Sequence, residues 1–284
     1  MATLGLDTIH RMLNGWTTPV AVEDMYGDWD FEAAVEVLGR SLSPRSSMSL
    51  FDTVASLGVG EGNLVLDIGG RDGRHSLVMA ERFGCRAVSV DPVEANIAMG
   101  ARLLAEHEFS HLVELRLGAI EDIPAENGVF DLVLSRDMLG HIEDLDRALA
   151  ECARVLSPDG AMVIHEVFAT PLLEPQEAQM LCMDVATFPE RMSVRGFEAA
   201  VDASGFKVES LELVGSEWSE ASQEAGTAPN YLLQVSRLRR AKKQLVDELG
   251  EAIYRVMYGN ALWSIYQMLG KLESRVYVLR LPHS

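Results

Sequence analysis

The chain has 284 residues, of which 48% are hydrophobic, and this is enough to bury a substantial core in one enlarged domain or in one domain with a cap. It carries 43 Asp plus Glu against 24 Lys plus Arg, and the net charge of −19 disfavours a nucleic-acid partner, because the chain would repel a phosphate backbone. The three cysteines are scattered and odd in number, a pattern that lacks a disulfide framework and fits a reducing compartment.

The N-terminal residues and the hydropathy pattern both predict a cytoplasmic protein. Residues 1–16 lack an uninterrupted apolar core behind basic residues, so they do not resemble a signal peptide. The longest apolar stretches, such as residues 261–269, are too short and too often interrupted by polar residues to span a bilayer. We therefore expect a small-molecule partner, no nucleic acid and no membrane.

The first segment, residues 1–62, has a helical pattern and carries Trp16, Tyr26 and Trp29 near one another. We interpret it as an N-terminal helical cap, although plain core packing explains most of these aromatic residues better. Such a segment can cover the active site of its own chain or that of a neighbouring subunit, so the sequence leaves a homodimer open.

The second segment, residues 63–214, alternates short β-branched runs with longer amphipathic stretches. This alternation predicts a core with a parallel sheet covered by helices on both faces. The predicted strands are Leu64 to Ile68, Ala87 to Asp91, Val113 to Leu117, Phe130 to Ser135, Met162 to Val167 and Lys207 to Val214. The predicted helices are Ser76 to Phe83, Val93 to His107, Asp144 to Leu156 and Val194 to Ser204, and Ser157 to Gly160 supply a turn after the third of them.

The third segment, residues 215–272, is interpreted as a helical cap inserted before a final strand in residues 273–284. It begins as a polar loop through Ser222 and Thr227 and continues as two long helical patterns. Methionines in and near this cap predict a mainly apolar pocket for a bulky hydrophobic molecule, and core packing is the alternative explanation. These methionines are Met180, Met183, Met192, Met257 and Met268.

The clearest local pattern is a glycine-rich turn, residues 69–73, between an apolar strand and a helix. Glycines let the backbone approach a ligand closely, and a helix N-terminus offers free N–H groups to an anionic group. Asp91 ends the second strand eighteen residues after Gly73 and can accept hydrogen bonds from both ribose hydroxyls of a nucleoside cofactor. The dinucleotide pattern G-x-G-x-x-G fails, because it would require glycine at Arg71 and Arg74.

These residues resemble the first motif of class I S-adenosylmethionine-dependent methyltransferases, an acidic residue followed by G-x-G-x-G. Asp67, Gly69 and Gly73 stand on the matching positions. The resemblance continues through the segments 118–124, 130–135, 140–142 and 154–160, and it spans roughly residues 60–214. It implies a doubly wound, Rossmann-like α/β sheet of seven strands with the last strand antiparallel, plus the helical caps.

The resemblance also implies the cofactor S-adenosyl-L-methionine and a set of residues that hold it. The first-motif loop contacts the methionine part, the acidic end of the second strand holds the ribose, and residues after the third strand face the adenine. The cofactor-binding residues implied in this way are Asp67, Gly69, Gly70, Gly73, Asp91, Pro92, Ala119, Ile120, Ser135 and Arg136. Two positions depart from the family pattern: Arg71 replaces the middle glycine, and Ala119 replaces an aspartate that commonly accepts from the adenine amino group.

Methyl transfer is an in-line displacement at an activated carbon, so a general base is needed only when the acceptor is protonated. His141 follows the fourth strand and is the first candidate for this base, with a helix cap as the equally supported alternative. His165 and Glu166 near the end of the fifth strand are further candidates, and alternation allows only one of them to face the acceptor. Arg136 and Asp137 directly follow the fourth strand, where members of the family often place cofactor or substrate contacts, and both rank below His141. No convincing set of metal ligands is present, and no metal is implied.

The function predicted from these residues is methylation of an O, N or C atom of a small, hydrophobic, natural-product-like acceptor, as in bacterial secondary metabolism, including antibiotic biosynthesis. Two alternatives stay open at this point. The fold and the cofactor can serve a non-methylating reaction such as cyclisation or decarboxylation, or the chain can be a non-catalytic binding protein.

Overall fold

The computed structural model describes residues 19–27 and 29–282. They divide into two compact units between Pro44 and Arg45. In the first unit, helix α1 comprises Val22–Met25 and helix α2 comprises Phe31–Leu38. The side chain of Asp30 accepts a hydrogen bond from the backbone N–H of Ala33 at 3.0 Å and so caps the start of α2. Trp16, named above in the N-terminal cap, lies outside the described residues.

The second unit contains one seven-stranded sheet. Its strands are β1 (Leu64–Ile68), β2 (Arg86–Asp91), β3 (Val113–Leu117), β4 (Phe130–Arg136), β5 (Leu156–Ala169), β6 (Lys207–Gly215) and β7 (Leu272–Arg280). The spatial order is β3-β2-β1-β4-β5-β7-β6. Strands β1 to β5 pair in parallel, and β7 runs antiparallel to both β5 and β6. The predicted doubly wound sheet with an antiparallel last strand is confirmed.

Helices connect and cover the strands. They are α3 (Ser49–Ser56), α4 (Arg74–Phe83), α5 (Glu94–Ala105), α6 (Leu145–Val155), α7 (Pro175–Val185), α8 (Val194–Ala203), α9 (Glu217–Glu224), α10 (Tyr231–Arg240), α11 (Lys242–Leu249) and α12 (Glu251–Met268). Short 3-10 turns occupy Glu108–Leu112, Leu139–His141 and Pro189–Met192. No described helix is both long enough and apolar enough to cross a membrane.

The sheet has a hydrophobic core on each face, because successive strand residues point to opposite sides. Along β1, Val65 packs in one core and Leu66 in the other. Helix α3 buries Leu50, Phe51 and Val54 on the Val65 side, so the unit that contains the sheet already includes residues expected in the N-terminal cap.

Two local expectations differ from the structure. Residues expected as a polar loop through Ser222 form helix α9, because Trp218 is 8% exposed and anchors that helix to the core beside Val214. The residues of the expected turn at 157–160 lie within β5. Their pairing with β4 shifts register, since Phe130 lies opposite Leu156 and Leu132 opposite Ala161, and the intervening residues bulge out.

The methionines near the second cap do not form one apolar wall. Met180, Met183, Met257 and Met268 are exposed, whereas Met192 is buried in a third core with Leu181 of α7. The structure therefore does not support the expected methionine-rich pocket.

The three cysteines are unpaired and buried. Burial raises the pKa of the Cys85 thiol to about 11 and that of Cys152 to about 12, and it also raises the pKa of Cys182.

Candidate functional site

The glycine-rich turn joins the end of β1 to the start of α4. Gly69 and Gly73 adopt left-handed backbone angles, with φ of 70° and 71°. A Cβ atom at Gly70 would lie 2.2 Å from Ser89 Oγ and 2.7 Å from Asp67 Oδ2, so the turn packs too closely on β1 and β2 for any other residue.

Asp67, near the end of β1, stabilises this turn from inside the protein. Its carboxylate is 1% exposed and accepts a hydrogen bond from Ser76 Oγ at 2.9 Å. Burial raises the pKa of Asp67 to about 6, while the hydrogen bonds from Ser76 oppose the rise. The side chain thus ties the strand end to the first turn of α4.

Asp91 ties the same turn to the end of β2. Its Oδ2 atom accepts from the backbone N–H of Arg71 at 3.0 Å, and its Oδ1 atom accepts from the backbone N–H of Val93 and from Asn96 Nδ2, both at 2.9 Å. A carboxylate has about four acceptor positions, so capacity for a further donor is left.

A cavity of about 900 Å³ opens in front of this turn, and we call it the large cavity. Seven of the predicted site residues line it: Asp67, Gly69, Gly70, Asp91, Pro92, Arg136 and His141. The other lining residues are Arg71, Asp72, Arg74, His75, Val93, Asn96, Met99, Asp137, Met138 and Ile142. Its size is at the upper end of that usual for ligand pockets.

Four predicted cofactor residues do not line the large cavity. Gly73 faces β3, where an added Cβ would lie 2.7 Å from Leu115 Cδ2. Ile120 is 2% exposed and packs in the hydrophobic core, and Ala119 forms an antiparallel bridge with Asp122. Ser135 is fully buried in β4.

Sequence reasoning missed His75 as a lining residue. It lies in the first turn of α4, where its ring centroid is 6.0 Å from that of Phe51, and Arg136 Nη1 donates a hydrogen bond to its Nε2 atom. Burial and, to a smaller extent, the charge of Arg136 together lower the pKa of His75 to about 4. Its position one residue after the start of the helix following the glycine turn was the available sequence indication.

A second cavity, of about 410 Å³, shares Arg136 and Asp137 with the large cavity. It is bounded by β5, β7, α9 and α12 and by the loop before α10. Its other lining residues are Ser47, His165, Trp218, Ser219, Ser222, Gln223, Thr227, Ala228, Pro229, Tyr231, Trp263, Ser264, Gln267, Met268 and Ser274.

His165 forms part of the wall of this second cavity. It is 4% exposed, and its ring centroid lies 4.5 Å from that of Trp218. Burial lowers the pKa of His165 to about 3, and the charges of Arg136 and His75 act in the same direction. An imidazole with so low a pKa is a poor proton acceptor at neutral pH, which argues against the role of general base considered above.

Glu166 points to the opposite side, towards a small cavity of about 110 Å³. Its Oε2 atom accepts from the backbone N–H of Leu139 and its Oε1 atom from that of Val167, both at 3.0 Å. Burial raises the pKa of Glu166 to about 8, with the nearby Asp137 carboxylate as the next largest cause. Glu166 therefore positions the turn that carries His141.

His141 lies between the large and small cavities. Its Nδ1 atom lies 2.8 Å from the carbonyl oxygen of Ala186, which accepts only, so Nδ1 carries the proton. The Nε2 atom is then the basic nitrogen. This arrangement fits a general base whose ring orientation is fixed by a backbone carbonyl.

Asp137 lines all three cavities. Its φ of 51° is left-handed, an uncommon angle for a residue other than glycine, and such angles cluster at functional sites. Its N–H donates to the carbonyl oxygen of His165 at 2.8 Å. Asp137 is exposed to solvent at the cavity surface, but the protein atoms packed around its carboxyl raise its pKa, while Arg136 and His141 oppose the rise.

Residues 66–164 match the family model described as a methyltransferase domain. This segment is therefore similar to a methyltransferase domain, and we call it the methyltransferase domain. The matched stretch runs from β1 into β5 and includes the glycine-rich turn, Asp91, Asp137 and His141.

One curated relative of the methyltransferase domain is the sarcosine/dimethylglycine N-methyltransferase of Halorhodospira halochloris. It is 31% identical over 142 residues, which are 50% of this chain and 48% of that protein. The match therefore spans about half the length of this relative.

Two solved structures share the fold of the methyltransferase domain. The [4+2]-cyclase SpnF has a TM-score of 0.64 at 20% identity and covers 83% of this chain and 80% of its own. The geranyl diphosphate C-methyltransferase of Streptomyces coelicolor has a TM-score of 0.60 at 16% identity, covering 83% of this chain and 78% of its own. Likenesses at these identities show the fold alone.

Arg71 stands where the G-x-G-x-G pattern has its middle glycine, and the turn of the methyltransferase domain keeps its shape there. Its φ is 53°, so the backbone keeps the angle that glycine would adopt, and its side chain is exposed. A left-handed angle costs a residue other than glycine about 1–2 kcal/mol, of which the greater chain entropy of glycine in the unfolded state offsets about 0.5–1 kcal/mol. We expect Arg71→Gly to raise the free energy of unfolding by up to about 1 kcal/mol in urea titrations.

Arg74→Gly is the matched control for this change. Arg74 begins α4 in helical geometry, where glycine costs about 1 kcal/mol, so this variant is expected to be less stable than the wild type. Equal destabilisation by the two changes would contradict the assignment of strain to Arg71.

Proposed function

We propose that the chain transfers a methyl group from S-adenosylmethionine to a small-molecule acceptor by in-line displacement. The observation that carries this proposal is the large cavity, which the glycine-rich turn and Asp91 border on one side and Arg136 and Asp137 on the other. The second cavity begins at the same two residues, so two ligands bound in these cavities would meet there.

The residues of the large cavity fit the cofactor. Gly69 and Gly70 line the cavity without side chains and so offer backbone surface to the methionine part, and the remaining acceptor capacity of Asp91 suits a ribose hydroxyl. When bound, S-adenosylmethionine supplies a methyl group already activated by its sulfonium. The protein then has to align the acceptor and exclude water.

Proton removal from the acceptor is assigned to His141. His141 borders the large cavity, and Ala186 and Glu166 hold its ring and its turn in place. Gly70, Asp91, Pro92, Arg136 and Asp67 are proposed to bind or support the cofactor. Gly73 and Ile120 are proposed to shape the fold around it.

Further parts of the proposal rest on sequence composition and resemblance. The cysteine pattern supports a cytoplasmic location, and the acidic composition supports an acceptor other than a nucleic acid. The resemblance of the motifs supports a place in bacterial secondary metabolism such as antibiotic biosynthesis. A homodimer is proposed as the state in which an N-terminal segment covers a neighbouring subunit, and light scattering of the purified chain tests it.

The experiment that tests the function combines titration with product analysis. We expect S-adenosylmethionine and S-adenosylhomocysteine to bind with micromolar Kd by isothermal titration. With an accepted substrate, methylated product and S-adenosylhomocysteine should form in equal amounts. Turnover of the acceptor without S-adenosylhomocysteine would favour a non-methylating reaction, and no binding of either nucleoside would favour a non-catalytic protein.

A further inference from the structure

The second cavity has a lining that is polar but almost free of charge. Arg136 and Asp137 are its charged residues, and they are adjacent in sequence with opposite signs. Most of the remaining wall consists of hydroxyl and amide side chains, namely Ser47, Ser219, Ser222, Thr227, Tyr231, Ser264, Ser274, Gln223 and Gln267. A diphosphate would need several cations here, and Arg136 is the cation that the lining offers.

The same cavity has aromatic side chains in its wall. The rings of His165 and Trp218 lie with their centroids 4.5 Å apart and their planes 30° apart, and Trp263 contributes to the wall. Trp218 is fixed from behind, because its Nε1 atom donates to Ser49 Oγ at 3.0 Å, and Arg136 lies 5.9 Å from its ring centroid. A rigid aromatic wall of this kind favours a planar ring as ligand.

His165 is a buried residue of this wall whose ring nitrogens have no hydrogen-bond partner within the described residues. Neither Nδ1 nor Nε2 has a hydrogen-bond partner among residues 19–27 and 29–282, although the side chain is more than nine-tenths buried. Buried polar groups are normally paired, so each exception calls for an explanation. A neutral imidazole has one donor and one acceptor nitrogen, and a ligand hydroxyl or carbonyl can pair with either.

We propose that the second cavity binds the methyl acceptor, that this acceptor is a neutral molecule with a hydroxylated planar ring, and that His165 selects it by hydrogen bonding. The inference rests on the proposed function in taking this ligand to be the acceptor. The volume of about 410 Å³ suits a ring system of two or three fused or linked rings. The shared wall of Arg136 and Asp137 then brings the ring hydroxyl to the edge of the large cavity.

The test compares two probes of the same shape by isothermal titration: quercetin, a hydroxylated planar flavonol, and flavone, its parent without hydroxyls. Geranyl diphosphate and sarcosine serve as probes of the competing chemical classes. Each titration is run with and without S-adenosylhomocysteine, so the cavity is tested whether or not the nucleoside binds. We expect quercetin to bind the wild type at least 10-fold more tightly than flavone and more tightly than the two other probes.

His165→Phe keeps a buried ring beside Trp218 but removes both nitrogens. We expect it to reduce the preference for quercetin to below 3-fold, to leave S-adenosylhomocysteine binding unchanged and to raise Tm, since an unpaired buried polar group is lost. His165→Gln retains a donor and an acceptor and should keep part of the preference. His107→Phe, at a position that does not line the cavity, should leave the preference for quercetin unchanged.

Three results would overturn the inference: tighter binding of flavone, geranyl diphosphate or sarcosine than of quercetin by the wild type, no binding of quercetin at all, or an unchanged preference in His165→Phe. Absence of S-adenosylhomocysteine binding together with a normal quercetin preference would contradict the proposed function and leave the cavity assignment standing. The two failures are therefore distinguishable.

Discussion

Asp91→Ala is expected to weaken the binding of S-adenosylmethionine by about 10- to 150-fold. A hydrogen bond from a ribose hydroxyl to a charged carboxylate contributes about 1.5–3 kcal/mol, and about 1.4 kcal/mol corresponds to 10-fold in Kd. The same carboxylate also holds the glycine-rich turn through the N–H of Arg71 and through Val93 and Asn96. Isothermal titration gives the affinity, and a thermal melt of the same sample shows whether the domain stays folded.

Two controls separate ribose binding from support of the turn. Asn96→Ala removes one hydrogen bond to Asp91 Oδ1 and keeps the carboxylate, so we expect less than a 10-fold change. Glu94→Ala removes an exposed carboxylate three residues away and changes the net charge by the same amount as Asp91→Ala. A folded Asp91→Ala variant that binds as tightly as the Glu94→Ala control would falsify the assignment of Asp91 to the ribose.

The stability of the protein is expected to fall by about 1 to 2 kcal/mol between pH 6.5 and pH 8 because of Glu166. Its pKa is about 8 in the folded state, against an ordinary value near 4.5, so the folded state binds more protons than the unfolded state throughout this window. Stability must then decrease as the pH rises. The contribution of Glu166 to the free energy of unfolding is fully present below about pH 4.5 and is lost as the pH rises through about 8.

The chosen window separates Glu166 from most of the titration of Asp67, His75 and His165. The raised pKa of Asp67 is about 6, so its similar contribution is largely lost before pH 6.5. His75 and His165, with pKa values lowered to about 4 and 3, act in the opposite direction and mainly below pH 6.5. Urea unfolding at half-unit steps of pH measures the slope.

Glu166→Gln should remove this slope, because the amide does not titrate. It should also be less stable than the wild type at pH 6.5 by about 1–2 kcal/mol. Only the amide oxygen of glutamine can accept, so the backbone N–H of Leu139 or that of Val167 loses its acceptor. Asp137→Asn should lower the pKa of Glu166 and so move the loss of stability to lower pH, because the charge of Asp137 is part of the cause of the raised pKa of Glu166. Exposed Glu106→Gln should keep the wild-type slope, and an equal slope in Glu166→Gln would show that another group titrates.

The strands and the glycine-rich turn could be predicted because their determinants are local. A run such as 64–68 shows its burial in five consecutive residues, and the close approach of Gly70 to Asp67 occurs within four residues of chain. Asp91 was predictable for the same reason, since its position at a strand end follows from its own neighbours.

The second cavity could not be predicted in this way. Ser47, His165, Trp218 and Trp263 come from four distant parts of the chain and meet only when β5, α9 and α12 have packed. Trp218 in particular lies in a segment whose polar composition indicated a loop. The pattern of methionines suggested an apolar pocket, because composition alone cannot distinguish a residue that faces a cavity from one exposed to solvent.

The expected adenine contacts illustrate a different limit. Ala119 and Ile120 were assigned by alignment with a family position, but an isoleucine there gains more by packing into the core, where it is 2% exposed. Asp137, by contrast, was ranked below His141, because a left-handed backbone angle at a residue other than glycine leaves no trace in the sequence.

The burial of Cys85, Cys152 and Cys182 has a practical consequence for studying this protein. Thiolates, not thiols, react with maleimides and iodoacetamides, and burial both blocks access and suppresses ionisation at all three positions. A cysteine introduced at an exposed position would then be the preferred point of attachment for a fluorophore or spin label. Distances between such labels can then show whether the molecule changes shape when it binds a ligand, with the native thiols left in place.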